Sequence, residues 1–121
     1  MAFSPDPTRL YVTSGRNDRL DVIDVASLTV TDTAPAGEYS EMAAVHPSGR
    51  MARTADEENA AVSVIDLTRG SIRAQVRTCA EPEGAAVSPD GARVYIACEG
   101  PMPLPSWMPP ATAWSRRLRW G

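Results

Sequence analysis

Lysine is missing altogether, and all twelve basic residues are arginine. Histidine occurs once, at His46, and cysteine twice, at Cys79 and Cys98. Each scarcity excludes something. One histidine and two distant cysteines do not supply the clustered ligands of a zinc site, so no metal site is expected, and there is neither a C-x-x-C pair nor a C-x-x-C-H haem-attachment motif. No Ser-His-Asp arrangement is visible around the single histidine, so no catalytic residue is assigned. No apolar run approaches the ~18 to 20 residues of a membrane-crossing helix, and no membrane span is expected. The residues after Met1 lack the basic flank and apolar stretch of an export signal. The absence of lysine itself is what a GC-rich coding sequence would give.

Charge excludes a further class. All fifteen acidic residues fall within residues 1–100 beside nine arginines, so that stretch carries 9 − 15 = −6. A body of that sign repels a phosphate backbone, and Arg116, Arg117 and Arg119 are too few for a basic tail, so no nucleic-acid partner is expected.

What is present is a repeat. Ser4-Pro5-Asp6 returns as His46-Pro47-Ser48 and again as Ser88-Pro89-Asp90, steps of 46 − 4 = 42 and 88 − 46 = 42 residues. Val22-Ile23-Asp24 returns as Val64-Ile65-Asp66, Tyr11-Val12 as Tyr95-Ile96, Asn17 as Asn59 and Glu41 as Glu83 at one or two multiples of that step. Each unit reads as four short strands. The first covers 2–3, 43–45 and 85–87, and is followed by a tight turn, Pro-Ser-Gly at 47–49 and Pro-Asp-Gly at 89–91, with Pro7 in the glycine position of the first copy. The second covers 9–13, 50–54 and 93–97, with Arg53 in the tyrosine position of the middle copy. The third, 19–24 and 61–66, and the fourth, 29–34 and 71–77, alternate and are rich in β-branched residues. A four-strand unit of this size has the dimensions of a propeller blade.

The expected fold is therefore all-β: a partial β-propeller of two four-stranded antiparallel blades plus half of a third. Blades are expected over 1–42 and 43–84, a partial blade over 85–98, and an irregular Pro/Trp/Arg-rich tail over 99–121. Such a wedge leaves an apolar blade face open at each end, and Met1 stands where a strand should already be running, as an internal methionine or a late start would. The missing blades of a parent ring are the expected partners.

The tail carries five of the eleven prolines and all three tryptophans. It reads as a Pro-rich linker or as a shifted reading frame. Trp107-Met108 must be encoded TGGATG, which contains an aspartate codon in the frame beginning at the third base, at the repeat position of Asp24 and Asp66. In that frame the preceding codon ends in TG and encodes an apolar residue, as at Ile23 and Ile65. Trp120-Gly121 gives a glycine under Gly37. The frame is expected to break between about Cys98 and Pro101.

Candidate site residues lie in loops that share one face of the propeller. Asn17, Asp18, Glu41, Asn59 and Glu83 would rim its central mouth, either as binding groups or as turn formers and solvated charge. Cys79, between blades, and Cys98, ending a second strand, emerge on that face, so a disulfide and two separate thiols both remain open. His46 reads as a turn residue, and Asp24 and Asp66 as turn formers.

The segments Ala2-Phe3-Ser4-Pro5-Asp6, Arg9-Leu10-Tyr11-Val12-Thr13-Ser14 and Val22-Ile23-Asp24, with Val87-Ser88-Pro89-Asp90-Gly91, resemble the YVTN-type (WD40-like) β-propeller repeat. The likeness covers about residues 1–98. Ser14, Asp56 and Cys98 depart from it at the motif's asparagine position. The resemblance implies a binding or scaffold module that needs no cofactor and recognises an unidentified ligand or protein. It also implies an exported parent, periplasmic or extracellular. Similar propellers occur in lactonase-like hydrolases and in quinone- or haem-linked oxidoreductases, so a piece of such an enzyme is the alternative. A truncated product without function is the third reading.

Overall fold

The computed structural model describes residues 1–99 and, as backbone alone, Trp114–Leu118. It is a partial β-propeller, with three antiparallel sheets following one another along the chain.

The first blade is β1 (Ala2–Phe3), β2 (Arg9–Ser14), β3 (Arg19–Asp24) and β4 (Thr29–Pro35), hydrogen-bonded in that order. The second is β5 (Ser40–Val45), β6 (Met51–Asp56), β7 (Ala61–Asp66) and β8 (Ser71–Arg77), again in chain order. The third holds β9 (Pro82–Val87), β10 (Val94–Cys98) and β11 (Trp114–Leu118), with β10 central. The inner strands β5 and β9 start at Ser40 and Pro82, earlier than the alanine-rich stretches that marked the sequence boundaries, yet the spacing 82 − 40 = 42 is kept. β11 lies within 99–121, the stretch expected to be an irregular tail. β10 would otherwise leave its second edge unpaired, and Trp114–Leu118 fills it antiparallel, Ile96 facing Arg116. The shifted-frame reading of 99–121 otherwise falls outside the described residues.

Equivalent turns are tied in equivalent ways. Leu28 N–H donates to the Asp24 carbonyl and Gly70 N–H to that of Asp66, both at 2.8 Å. The two aspartate side chains accept from Ser27 and from the Thr68 and Arg69 backbone, so they form turns. In the inner turns, Gly49 N–H donates to His46 and Gly91 N–H to Ser88. Pro7 has no N–H to give; the Asp6 carboxylate gathers the Ser4 hydroxyl, the Thr8 hydroxyl and the Thr8 N–H. Those donors hold Asp6 down at about 2.

Alternation decides what packs where. Tyr11, Leu20, Val22 and Ala34 of the first blade meet Ala43, Ala52 and Ile65 of the second in one apolar cluster. Val62 and Val76, on the opposite face of the second blade, meet Val94, Ile96, Ala85 and Val87 of the third. The junctions repeat residue for residue: Leu20 becomes Val62, Ala34 becomes Val76, Ala52 becomes Val94 and Val45 becomes Val87. Arg53, the residue that weakened the second strand of the middle copy, lies within an intact β6 flanked by β5 and β7, and is buried toward the third blade. Burial lowers its basicity.

Leu20 is fully buried at the centre of the first junction. Leu20→Ala is expected to cost about 3 kcal/mol in urea melts, as buried leucine truncations do. A loss of a few tenths of a kcal/mol would contradict that packing.

Candidate functional site

One face of the wedge is made by two kinds of chain: the turns between second and third strands at 15–18 and 57–60, and the connectors between blades at 36–39 and 78–81. The two kinds are stitched together. Ala36 N–H donates to the Asp18 carbonyl and Thr78 N–H to that of Ala60, each at 2.9 Å. Asp18 and Ala60 both hold a left-handed backbone, φ 50 and 48°, as the repeat requires.

Sequence-predicted residues divide at this face. Asn17, in the 3-10 turn Gly15–Asn17, donates from Nδ2 to Ser14 Oγ at 2.9 Å. Asp18 Oδ1 accepts the Tyr39 N–H at 3.2 Å. Both side chains thus hold the turn and the connector, and Asn59 occupies the matching turn of the second blade. Glu41 and Glu83, at the starts of β5 and β9, are brought together with Glu57, Glu81 and Glu99 into an acidic rim. Desolvation, then repulsion from Glu41, Glu81 and Glu58, pushes the Glu57 carboxyl above its usual range. Glu83 is raised likewise, by desolvation and then by Glu99, with which it shares a hydrogen bond. Glu57, Glu81 and Glu99 were not singled out from the sequence, although Glu57 and Glu99 are one repeat apart, as Glu41 and Glu83 are. An arrangement of this sign favours cations at the rim and disfavours anions. Among the described residues there is no cluster of three metal-ligating side chains spaced to hold an ion.

Cys79 and Cys98 meet beneath this face, disulfide-bonded, with Cα atoms 6.2 Å apart. The bond ties the second connector to the end of β10, across the junction between the second and third blades. His46 stays in its turn: Nδ1 accepts the Ser48 N–H at 3.0 Å, and the ring abuts Gly91 of the next blade's turn. At Gly91, φ is +73° and an added Cβ would stand 2.7 Å from His46 Nε2, so only glycine lets the two turns nest.

The most buried carboxyl belongs to none of these. Asp56, at the end of β6, is fully buried and receives hydrogen bonds from Ser40 at 2.7 Å, Thr54 at 2.8 Å and Ser63. Its sequence signal was its departure from the motif's asparagine.

No family model matches the chain, and no curated protein matches it. Solved propeller structures do. The hydrazine synthase of Kuenenia stuttgartiensis superimposes with a TM-score of 0.77 at 28% identity, over 81% of this chain and 28% of that one. Dihydro-heme d1 dehydrogenase NirN, solved in complex with DHE, superimposes with a TM-score of 0.63 at 20% identity, over 84% of this chain and 22% of that one. The chain thus spans about a quarter of the length of these solved chains. No helix among the described residues is long and apolar enough to cross a membrane.

Two outcomes follow from this face. Glu57→Gln and Glu83→Gln should each raise the urea midpoint at neutral pH in low salt. A carboxyl raised in the folded state contributes stability below its unfolded value and loses it as pH climbs, and ~0.5 M salt should shrink the gain by screening the neighbouring carboxylates. Equal midpoints for the wild type and both variants would contradict the crowding. Reducing Cys79–Cys98, which closes a separation of 19 residues, should cost about 3 kcal/mol of stability. An unchanged melt after complete reduction would show that the bridge does not constrain the unfolded chain.

Proposed function

We infer that the chain is a binding or scaffold segment of a larger YVTN-type propeller, completed by further blades of the same repeat on both sides. One observation carries this reading: the open faces reproduce the buried ones in register. Tyr95 is 38% exposed, whereas Tyr11, two repeats earlier, is 3% exposed against the second blade. Phe3 and Val30 are 58% and 56% exposed, and they stand where the second blade places Val45 and Ile72 against the first. Polar positions follow the same rule with roles exchanged: Ser14 and Asp21 occupy the places of Asp56 and Ser63. Large apolar side chains at these positions make sense when another blade covers them. In this reading the acidic rim is part of the ring's mouth, suited to a cationic group of a ligand or partner protein, and the parent is exported.

A second reading has one observation behind it: both solved chains described above bear the names of enzymes, and the hydrazine synthase likeness reaches 28% identity. The segment would then belong to a redox propeller whose reacting groups sit on other blades. Haem or quinone absorbance in the purified longer protein would favour that reading over a binding module.

The isolated chain tests the principal reading. It should self-associate in sedimentation velocity and enhance the fluorescence of an apolar dye, and Val30→Asp with Tyr95→Asp should diminish both. A monomer that melts sharply without binding dye would overturn it.

A further inference from the structure

The two blade junctions use the same positions, and one pair of positions is filled by different chemistry in each. Position 37 of the first connector recurs as 79 in the second, and position 56 at the end of β6 recurs as 98 at the end of β10. In the second junction this pair is the disulfide Cys79–Cys98. In the first it is Gly37 and Asp56, so close that a Cβ added at Gly37 would stand 2.1 Å from the Asp56 carboxyl carbon. Connector and strand end therefore touch at the same place in both junctions.

The side chains that reach Asp56 come from three strands of its sheet, and the fourth supports one of them. Ser40 reaches it from β5, Thr54 from β6 and Ser63 from β7, while Gln75 of β8 donates to Ser63 Oγ at 3.1 Å. The connector backbone at Gly37 closes the remaining side. These are hydroxyls, an amide and a carbonyl; none is charged, and neither ion pair recorded among the described residues includes Asp56.

Counting hydrogens decides between its two forms. Ser40 Oγ lies 3.0 Å from the Gly37 carbonyl and 2.7 Å from Asp56 Oδ1, but it has a single hydrogen. With Asp56 ionised, both neighbours are acceptors and one goes without. With a proton on Oδ1, Asp56 donates to Ser40 and Ser40 donates to Gly37. Thr54 and Ser63 still donate to the carboxyl, each with its one hydrogen. The neutral form thus makes one more hydrogen bond, and that bond reaches the connector from the first blade.

We propose that positions 37/56 and 79/98 are a single inter-blade latch, closed in the first junction by a proton on Asp56 and in the second by a thiol–disulfide couple. Closing the second latch joins the two sulfurs and releases two protons and two electrons. A low-molecular-weight disulfide such as oxidised glutathione takes them up and leaves as two thiols. Opening the first latch needs only loss of the Asp56 proton. Burial pushes that carboxyl above its usual range, against the pull of its hydroxyl donors. A group raised in this way adds stability that is complete below its unfolded value and is lost as pH rises through its folded value. Alkali therefore loosens the first junction, and reductant the second.

Urea midpoints of the full chain and of Asp56→Asn, measured in parallel from pH 4 to 8, test the proton. The amide keeps an acceptor for Thr54 and a donor for the network but cannot ionise. The ratio of wild-type to variant unfolding constants should rise with pH, about tenfold for each unit by which folding raises Asp56. Parallel profiles would overturn the proton latch. A second variant tests the shared position even if Asp56→Asn does not fold. Gly37→Cys combined with Asp56→Cys should close a second disulfide under oxidised glutathione, seen by mass as the loss of two more hydrogens and by the absence of titratable thiol. Thiols at 37 and 56 that stay free while Cys79–Cys98 forms would overturn the equivalence.

Discussion

Face-to-face packing of successive blades is the constraint on which everything else in this structure rests. A four-stranded sheet this small buries too little by itself to be stable, so each blade depends on its neighbour for a core. That dependence imposes register. Because side chains alternate along a strand, a slip of one residue would turn Leu20 or Ile65 outward. The repeat therefore holds its length without insertion across both junctions, and the conserved spacing of turn, strand and connector is the price of a shared interface.

The junctions differ in what they put beside the apolar cluster. In the first, Thr54 and Asp56 face the preceding blade; in the second, the same positions are Ile96 and Cys98. At these two positions the first interface is polar and the second is apolar with a covalent tie. A buried carboxyl among hydroxyls is tolerable because its partners are fixed by three separate strands. The short approach of Gly37 leaves no room for water between connector and carboxyl.

Much of this was legible in the letters, and the reason is repetition. A single Ser-Pro-Asp or Val-Ile-Asp says little, but the same spacing in turn and strand together fixed the element type, the order and the faces. Asp24 and Asp66 were readable as turn formers because each ends the third strand of its repeat. The fates of Asn17 and Asp18 were not readable, since an asparagine in a loop serves a ligand or its own turn equally well until the chain around it is placed. Asp56 was visible only as a departure from a motif, because the hydroxyls that surround it lie on three strands, as far as 16 residues away at Ser40, and meet only through strand pairing. Strand β11 escaped notice for another reason: its pairing follows from the open edge of β10, not from any pattern of its own.

Amide hydrogen exchange of the whole chain tests the central claim, that stability resides in the blade junctions, most directly. The slowest amides should be those of the central strands β2, β3, β6, β7 and β10, whose side chains form the two clusters, with β4 and β8 at the outer edges exchanging much sooner. Uniform protection across each sheet, or protection greatest in β4 and β8, would contradict the account.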